Sequence, residues 1–191
     1  MILGNSAILE AIQNGWIGID PFPYSDPTKE PFNTSAVDLT LGDEIVVPDS
    51  NASAILDLRS GSIADFWSKH STRHKITADR PYTLTNGTFI LARTKERVSF
   101  PLNTCQDHCY SARVEGKSSL ARCGILVHFT APTIHAGFEG TITLEIILHG
   151  PLKFNLVPDI PICQLIIEQV KGSVHDAPNQ FKGQRSATGE K

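Results

Sequence analysis

Short runs of alternating apolar and polar residues, separated by turn-forming residues, restrict the fold of this sequence more than any other feature. Gly, Pro, Asn and Asp lie between the runs. Successive side chains of a strand point to opposite faces of a sheet, so each run predicts a half-buried β-strand. Many such strands predict a mainly β fold, either a sandwich or a barrel. With some lapses, the alternation covers residues 36–41, 83–92, 125–130, 141–148 and 160–170.

One segment near the N-terminus has helical spacing instead. Its apolar residues recur along one helix face, at Ala7, Ile8, Ala11 and Ile12. This spacing predicts a helix over residues 5–15. Asn5 or Ser6 is a suitable N-cap, and Gly15 is suited to end the helix.

Three segments lack both patterns. Residues 21–34 are rich in Pro, Ser, Asp and Thr and predict an extended loop. Residues 60–80 hold Phe66 and Trp67 among charged residues and predict a short helix or an insertion. The last 20 residues are polar and rich in Gly, which fits a disordered terminus or an arm that orders over a ligand. Neither a repeat nor a second domain is evident, so we expect one domain over residues 1–191.

Composition excludes several classes of function. The net charge of −3 argues against a protein that coats nucleic acid, because phosphate binding requires a basic surface. No apolar run approaches the roughly 20 residues that a membrane helix needs. The N-terminus has no basic start before an apolar block, unlike a secretory signal. We therefore expect a cytoplasmic protein without a nucleic-acid or membrane partner.

The four cysteines do not form paired CxxC units. Cys105, His108 and Cys109 could be three metal ligands, but the neighbourhood offers no fourth. Reduced thiols of a cytosolic protein are the favoured interpretation, and no zinc is expected.

Residues 116–122, GKSSLAR, combine a glycine, two cations and two hydroxyls. Backbone N–H groups at a glycine turn, together with Lys117, suit an anionic phosphate chain. A Walker A loop would require Gly at position 111, which is Ser. The structural alternative is a polar turn that leads into a helix capped by the Ser118 hydroxyl.

Glu145 carries the one charge in residues 141–148, TITLEIIL. One face of this predicted strand is wholly apolar, and Glu145 shares the other with Thr141, Thr143 and Ile147. A carboxylate there is costly unless it is paired, and Arg113 or Arg122 could be the partner. A structural ion pair and a proton-shuttling carboxylate whose pKa is raised by burial both remain open.

The motifs of this sequence, taken together, resemble those of one protein family. The run GKSSLARCGILVHFTAPTIHAGFEGTITLEI resembles the core of dCTP deaminases and of bifunctional dCTP deaminase–dUTPases. MILGNSAILEAIQNGWIGIDPF, SAVDLTLGDEI, ICQLIIEQV and QFKGQRSATG resemble further motifs of that family, in the correct order. The resemblance covers most of the chain apart from residues 50–80. It implies a dUTPase-like β-barrel or sandwich, with an N-terminal helix and turn over residues 1–20 and a flexible closing arm over residues 176–191.

The resemblance also implies a reaction, in which dCTP and water give dUTP and ammonia. Ser118 would hold the attacking water, Arg122 would support the developing charge, and Glu145 would carry a proton from the water to the pyrimidine ring nitrogen. Zinc-dependent cytidine deaminases instead need H-x-E and P-C-x-x-C, and neither pattern occurs. Residues implied to bind the substrate are Lys117, Ser119, Thr130, Ala131, His135, Thr143, Gln180, Lys182 and Gln184.

The family further implies Mg²⁺ carried by the triphosphate, dCTP and dUTP as ligands, dTTP as a candidate inhibitor, and a homotrimer with sites between subunits. This sequence departs from the family at Lys117, where Arg is usual, at Gln180, where some members have Lys, and at His135, where the family has Asp. An imidazole cannot accept hydrogen bonds as a carboxylate does. The last departure predicts weak or absent phosphate hydrolysis, and leaves a bifunctional enzyme and a catalytically degenerate regulator as alternatives to a deaminase.

Overall fold

The computed structural model describes residues 1–49, 59, 63–102, 108–177 and 182–189. None of the helices within these residues is long and apolar enough to span a membrane. The described elements are α1 (Asn5–Gln13), β1 (Gly18–Asp20), β2 (Phe32–Asn33), β3 (Ala36–Pro48), α2 (Ile63–Lys69), β4 (Ser71–Lys75), β5 (Tyr82–Leu84), β6 (Phe89–Ser99), β7 (Tyr110–Gly116), α3 (Ser118–Ala121), β8 (Ile125–Val127), β9 (Thr133–Ile134), β10 (Glu139–Leu148), β11 (Phe154–Leu156) and β12 (Pro161–Gln169).

Ten of the described strands form one curled sheet, in the order β8-β10-β6-β3-β12-β7-β9, with β1 paired to β6 and both β2 and β4 paired to β3. β5 and β11 form a separate ribbon. The long strand β3 joins the two halves of the sheet. Its first part pairs with β12, and its second part pairs with β6 and β4 after a register shift between Leu41 and Ile45. The fold is mainly β, as the alternating pattern predicts.

The core lies inside the curled sheet, and α1 covers it with Ile8, Leu9 and Ala11. Each fully buried Leu or Ile contributes roughly 1.5–3 kcal/mol relative to an exposed one. Leu144 and Ile146 of β10 are both fully buried in this core. Because strand side chains alternate, their burial turns Glu145 to the opposite face of the sheet.

The N-terminal helix is confirmed, but neither predicted capping residue is its N-cap. Gly4 occupies that position without a side-chain hydrogen bond. The Asn5 side chain instead donates to the carbonyl of Pro27 at 2.9 Å. Gly15 follows the helix with φ of 70°, a left-handed conformation that suits the predicted end.

The short helix predicted within residues 60–80 is α2. β4 in the same segment was not predicted, and neither was β7, although residues 110–115 alternate between apolar and polar. The predicted helix near Ser118 is α3, but Ser118 is not its cap. Lys117 is the N-cap, and no side-chain hydrogen bond caps the helix. The Ser118 hydroxyl therefore remains available for another role.

Candidate active site

A cavity of about 400 Å³ opens on the face of the sheet that carries Glu145. Its floor includes Glu145 of β10 and Leu91 of β6, which are directly opposite each other in the strand register. Trp67 of α2 and Phe89 of β6 form an apolar wall, with their ring centroids 6.2 Å apart. A largely apolar cavity with one carboxylate in its floor suits a small ligand that exchanges a proton.

His128 is the partner of Glu145. Its Nδ1 atom lies 2.9 Å from Oε2 of Glu145, and its side chain is only 6% exposed. The backbone N–H of His128 also donates to the Glu145 carbonyl at 2.8 Å. Within one chain, neither of the arginines considered as a partner reaches Glu145: Arg113 contacts Glu168 at 3.1 Å and Arg122 is exposed.

Strand pairing and a left-handed backbone place this imidazole. β8 is antiparallel to β10 at the edge of the sheet, and His128 follows β8 with φ of 54°. The ring thereby turns back toward Glu145, and its Nε2 atom lies 2.8 Å from the Ala131 carbonyl. The pairing of β8 with β10 is not visible in the sequence, and this is why sequence reasoning missed His128.

Two oxygens face the ring nitrogens of His128. Nε2 lies against the Ala131 carbonyl at 2.8 Å, and Nδ1 lies against the Glu145 carboxylate at 2.9 Å. Nδ1 and Oε2 are close but not aligned as a hydrogen bond, so the contact is chiefly electrostatic. An imidazole carries a proton on one or both of its nitrogens, so the contact places a proton-exchanging group beside Glu145.

The pKa of Glu145 lies below the ordinary value for a glutamate, contrary to the sequence-based expectation of a raised one. Burial raises this pKa, but the contact with His128, the charge of its imidazole and a backbone hydrogen bond together outweigh burial. Glu145 is therefore an ionised carboxylate at neutral pH, the form in which a general base works.

Four predicted substrate-binding residues line the same cavity: Ala131, His135, Thr143 and Gln184. The Thr143 hydroxyl is buried and has no hydrogen-bond partner among the described residues. A buried hydroxyl without a partner is costly, so it is available to a bound ligand. His135 is exposed at the cavity mouth and brings an imidazole where a carboxylate is usual in the resembled family.

The segment expected to bind phosphate lies elsewhere on the chain. Ser118, Ser119 and Arg122 are exposed on or beside α3, and none of them belongs to the described wall of the Glu145 cavity. Thr130 is also exposed and outside that wall. The Lys117 ammonium contacts the carboxylate of Asp38. The predicted catalytic set is thus not brought together in that cavity by one chain.

Residues 182–189 of the predicted arm lie against their own chain beside the cavity. Gln184 and Thr141 exchange two hydrogen bonds, at 2.8 and 3.1 Å. The buried Ala187 donates its N–H to Glu44 at 2.7 Å. Ala187, Thr188 and Gly189 line the cavity. Whether this arm is mobile without ligand stays a prediction.

Two other predicted arm residues do not reach this cavity in the described structure. Lys182 lies 3.8 Å from Asp176 and borders a second cavity of about 590 Å³. Gln180 lies outside the described residues, as does Cys105 of the possible metal cluster. Among the described residues, no group of three His, Cys, Asp or Glu side chains is placed to hold a metal ion.

Gly140 permits the close approach of the arm. Its φ is 151°, and a Cβ atom there would lie 2.7 Å from the carbonyl oxygen of Gln184. We expect Gly140→Ala to displace the arm, speed trypsin cleavage at Lys182 and Arg185, and lower kcat/KM by roughly 10-fold or more. Gly172→Ala is the matched control, because Gly172 also has a positive φ but open space around it. Equal effects of the two substitutions would contradict a specific contact with the arm.

Comparison with known proteins identifies the family of this chain. A family model described as dCTP deaminase-like matches residues 2–170. The "dCTP deaminase, dUMP-forming" of Methanothermobacter thermautotrophicus is 36% identical over 167 residues, which cover 87% of this chain and 78% of that protein. The "dCTP deaminase" of Rhodospirillum rubrum is 34% identical over 170 residues, which cover 88% of this chain and 82% of that protein.

A solved structure shares the fold. The crystal structure of 2′-deoxycytidine 5′-triphosphate deaminase from Agrobacterium tumefaciens superposes with a TM-score of 0.63 at 16% identity, covering 87% of this chain and 47% of that one. This chain therefore spans about half the length of that protein. The family model covers most of the chain and the archaeal relative exceeds 30% identity, so the chain belongs to the dCTP deaminase-like family.

Proposed function

We propose that this protein hydrolyses the C4–N4 bond of dCTP to give dUTP and ammonia. The observation that carries the proposal is the Glu145 carboxylate in the cavity floor, 2.9 Å from the His128 imidazole that can share its proton. Membership of a family whose curated relatives are named dCTP deaminases supports it. Zinc is not part of the proposal, because Glu145 supplies the base that the attacking water needs.

The proposed reaction uses this pair twice. Glu145 removes a proton from water as its oxygen bonds to C4, and the proton then passes to the ring nitrogen N3. Glu145 then takes the remaining water proton from the hydroxyl on C4 and delivers it to N4. The C4–O bond becomes a carbonyl, the C4–N4 bond breaks and ammonia leaves. His128 holds Glu145 in position and shares its proton between the two transfers. Ser118 is proposed to hold the water and Arg122 to stabilise the developing negative charge.

We further propose that the protein is a homotrimer in which the Ser118 segment of one subunit completes the Glu145 cavity of another. Ser118 and Arg122 are exposed, away from the wall of the cavity in their own chain. Leu126 and Phe129, which flank His128, are 39% and 47% exposed. An apolar pair beside an incomplete site is suited to contact with a second copy of the chain.

Mixed trimers test this arrangement. We expect Ser118→Ala and Glu145→Gln to be inactive alone. When the two are co-expressed in equal amounts, about a quarter of wild-type activity should return in the unfractionated mixture and about a third in isolated mixed trimers, because each mixed trimer has one site of three with both residues intact. The two chains carry different affinity tags, so that mixed trimers can be isolated and assayed. No recovery in isolated mixed trimers would place both residues in a site formed by one chain.

Ammonia release from dCTP, with nucleotide products separated by chromatography in the same sample, tests the proposed activity. We expect ammonia and dUTP in equal amounts. Formation of dUMP and pyrophosphate would instead support the bifunctional activity that the name of the Methanothermobacter relative describes. Tight nucleotide binding without turnover would move the protein to the regulator alternative.

Other participants are proposed from the family resemblance. Mg²⁺ would enter with the nucleotide, bound by phosphate oxygens, and would neutralise part of the triphosphate charge. Lys117, Ser119, Lys182 and Gln180 are proposed to contact the triphosphate. The backbone around Thr130 and Ala131 would contact the base. dTTP is a candidate inhibitor, and the cytoplasm is the proposed location.

A further inference from the structure

Asp38 is the centre of a polar cluster away from the Glu145 cavity. Its Oδ1 atom accepts hydrogen bonds from Asn33 Nδ2 at 2.9 Å and from Gln164 Nε2 at 3.3 Å. Its Oδ2 atom contacts the ammonium of Lys117. The side chains of Asp38 and Lys117 are 13% and 20% exposed, so this ion pair is largely shielded from solvent. Removing one partner of a shielded ion pair destabilises a protein much more than removing one partner of an exposed pair.

Strand register explains why these groups meet. Asp38 of β3 is opposite Gln164 of β12, and Gln164 is opposite Glu115 of β7. The three residues therefore form one row on the same face of the sheet. Lys117 follows Glu115 by two positions and points to that face. The sheet thus fixes Asp38 at a place where it receives the Lys117 ammonium.

Lys117 is also the N-cap of α3. Its carbonyl accepts the N–H groups of Leu120 and Ala121, both at 3.0 Å. α3 has only four residues and no side-chain cap, so its own hydrogen bonds hold it weakly. The orientation of this helix, and hence of Ser118 and Arg122, depends on where Lys117 is held.

We infer that Asp38 is a positioning residue, which aims Ser118 and Arg122 by anchoring the Lys117 end of α3. The inference rests on the proposed function, in which those two residues act on the substrate. Asp38 is not part of the described wall of the Glu145 cavity. A displacement of about 1 Å in a catalytic group can cost on the order of 100-fold in rate, so a small movement of α3 suffices.

A double-mutant cycle tests the anchor. We expect Asp38→Asn to lower kcat by about 10- to 100-fold with little change in KM, and Lys117→Gln to lower kcat to a similar extent. The kcat of the double variant should be no lower than that of the worse single one. Asp159→Asn is the matched control, because it neutralises the partner of the exposed Lys95 and should change nothing.

Two results would overturn the inference. Additive losses in the double variant would show that Asp38 and Lys117 act separately. A raised KM for dCTP with unchanged kcat in the Lys117 variants would assign Lys117 to phosphate binding alone.

A second measurement is independent of catalysis. Hydrogen exchange at the amides of Leu120, Ala121 and Arg122 should be faster in Asp38→Asn than in wild type or Asp159→Asn, because these amides close the first turn of α3. Unchanged exchange would refute the anchor. If wild-type protein releases no ammonia from dCTP, the proposed function fails, and exchange still tests whether Asp38 holds α3.

Discussion

Replacing Glu145 with Gln is expected to lower the deamination rate by about 10²- to 10⁴-fold, the typical contribution of a general base. Glutamine has nearly the same shape but cannot take a proton from water. Because Leu144 and Ile146 hold β10 in the core, the variant should fold and bind nucleotide. Ammonia release gives the rate, and binding of dCTP gives the control. Turnover near the wild-type rate would remove Glu145 from the mechanism.

The lowered pKa of Glu145 gives the same prediction a pH dependence. A lowered pKa keeps the carboxylate ionised to a pH below the ordinary glutamate range, so activity should fall at a correspondingly low pH. Replacing His128 with Gln removes the contact and the charge that lower this pKa, while burial continues to raise it. The acidic limb of the kcat profile should then move to higher pH. An unmoved limb would show that another group limits the rate there.

Because His135 replaces the Asp that is usual in the resembled family, we expect wild-type protein to deaminate dCTP without appreciable hydrolysis of dUTP. The family resemblance places at this position an Asp that orients the water attacking the phosphate. His135 lies at the mouth of the cavity, whereas Glu145 and His128 lie at its floor and are intact. An imidazole cannot accept hydrogen bonds at two oxygens as a carboxylate can. The two activities should therefore separate in this chain.

His135→Asp restores the carboxylate and should produce measurable conversion of dUTP to dUMP and pyrophosphate. Chromatography of wild-type and variant reactions checks the result, with His135→Asn as the control that has the size but not the charge of Asp. Efficient hydrolysis of dUTP by wild type would show that another group holds the water. The dUMP-forming name of the Methanothermobacter relative makes this comparison informative.

The alternating pattern predicted β3, β10 and β12, because alternation reflects burial of one face. It missed β7, whose residues also alternate, and it joined β5 and β6 into one run although they lie in separate sheets. It also predicted that Glu145 lies in an apolar strand. It did not predict the partner of Glu145, since His128 reaches it through the pairing of β8 with β10 and a left-handed backbone. The direction of the Glu145 pKa was wrong for the same reason, because burial alone was visible and the imidazole was not.

The catalytic role proposed for residues 116–122 rests on the family resemblance. Composition favoured phosphate binding at Lys117, yet its ion pair with Asp38 depends on the register of β3, β12 and β7. Such register is set by contacts between residues far apart in sequence. The approach of Gln184 to Gly140 likewise joins segments 44 positions apart. The residues next to Gly140 and next to Gln184 in the sequence do not indicate this contact.

The strand β3 limits how the chain length can vary. Asp38, near its start, contacts the residue that begins α3, and Glu44, beyond the register shift, receives the N–H of Ala187 in the arm. Each of these contacts forms only if its carboxylate points to the face of the strand that it now occupies. A one-residue insertion or deletion between them would turn one of the two to the opposite face. We therefore expect a one-residue change in length between Asp38 and Glu44 to detach either the arm or the helix, unless the irregular stretch between Leu41 and Ile45 absorbs it.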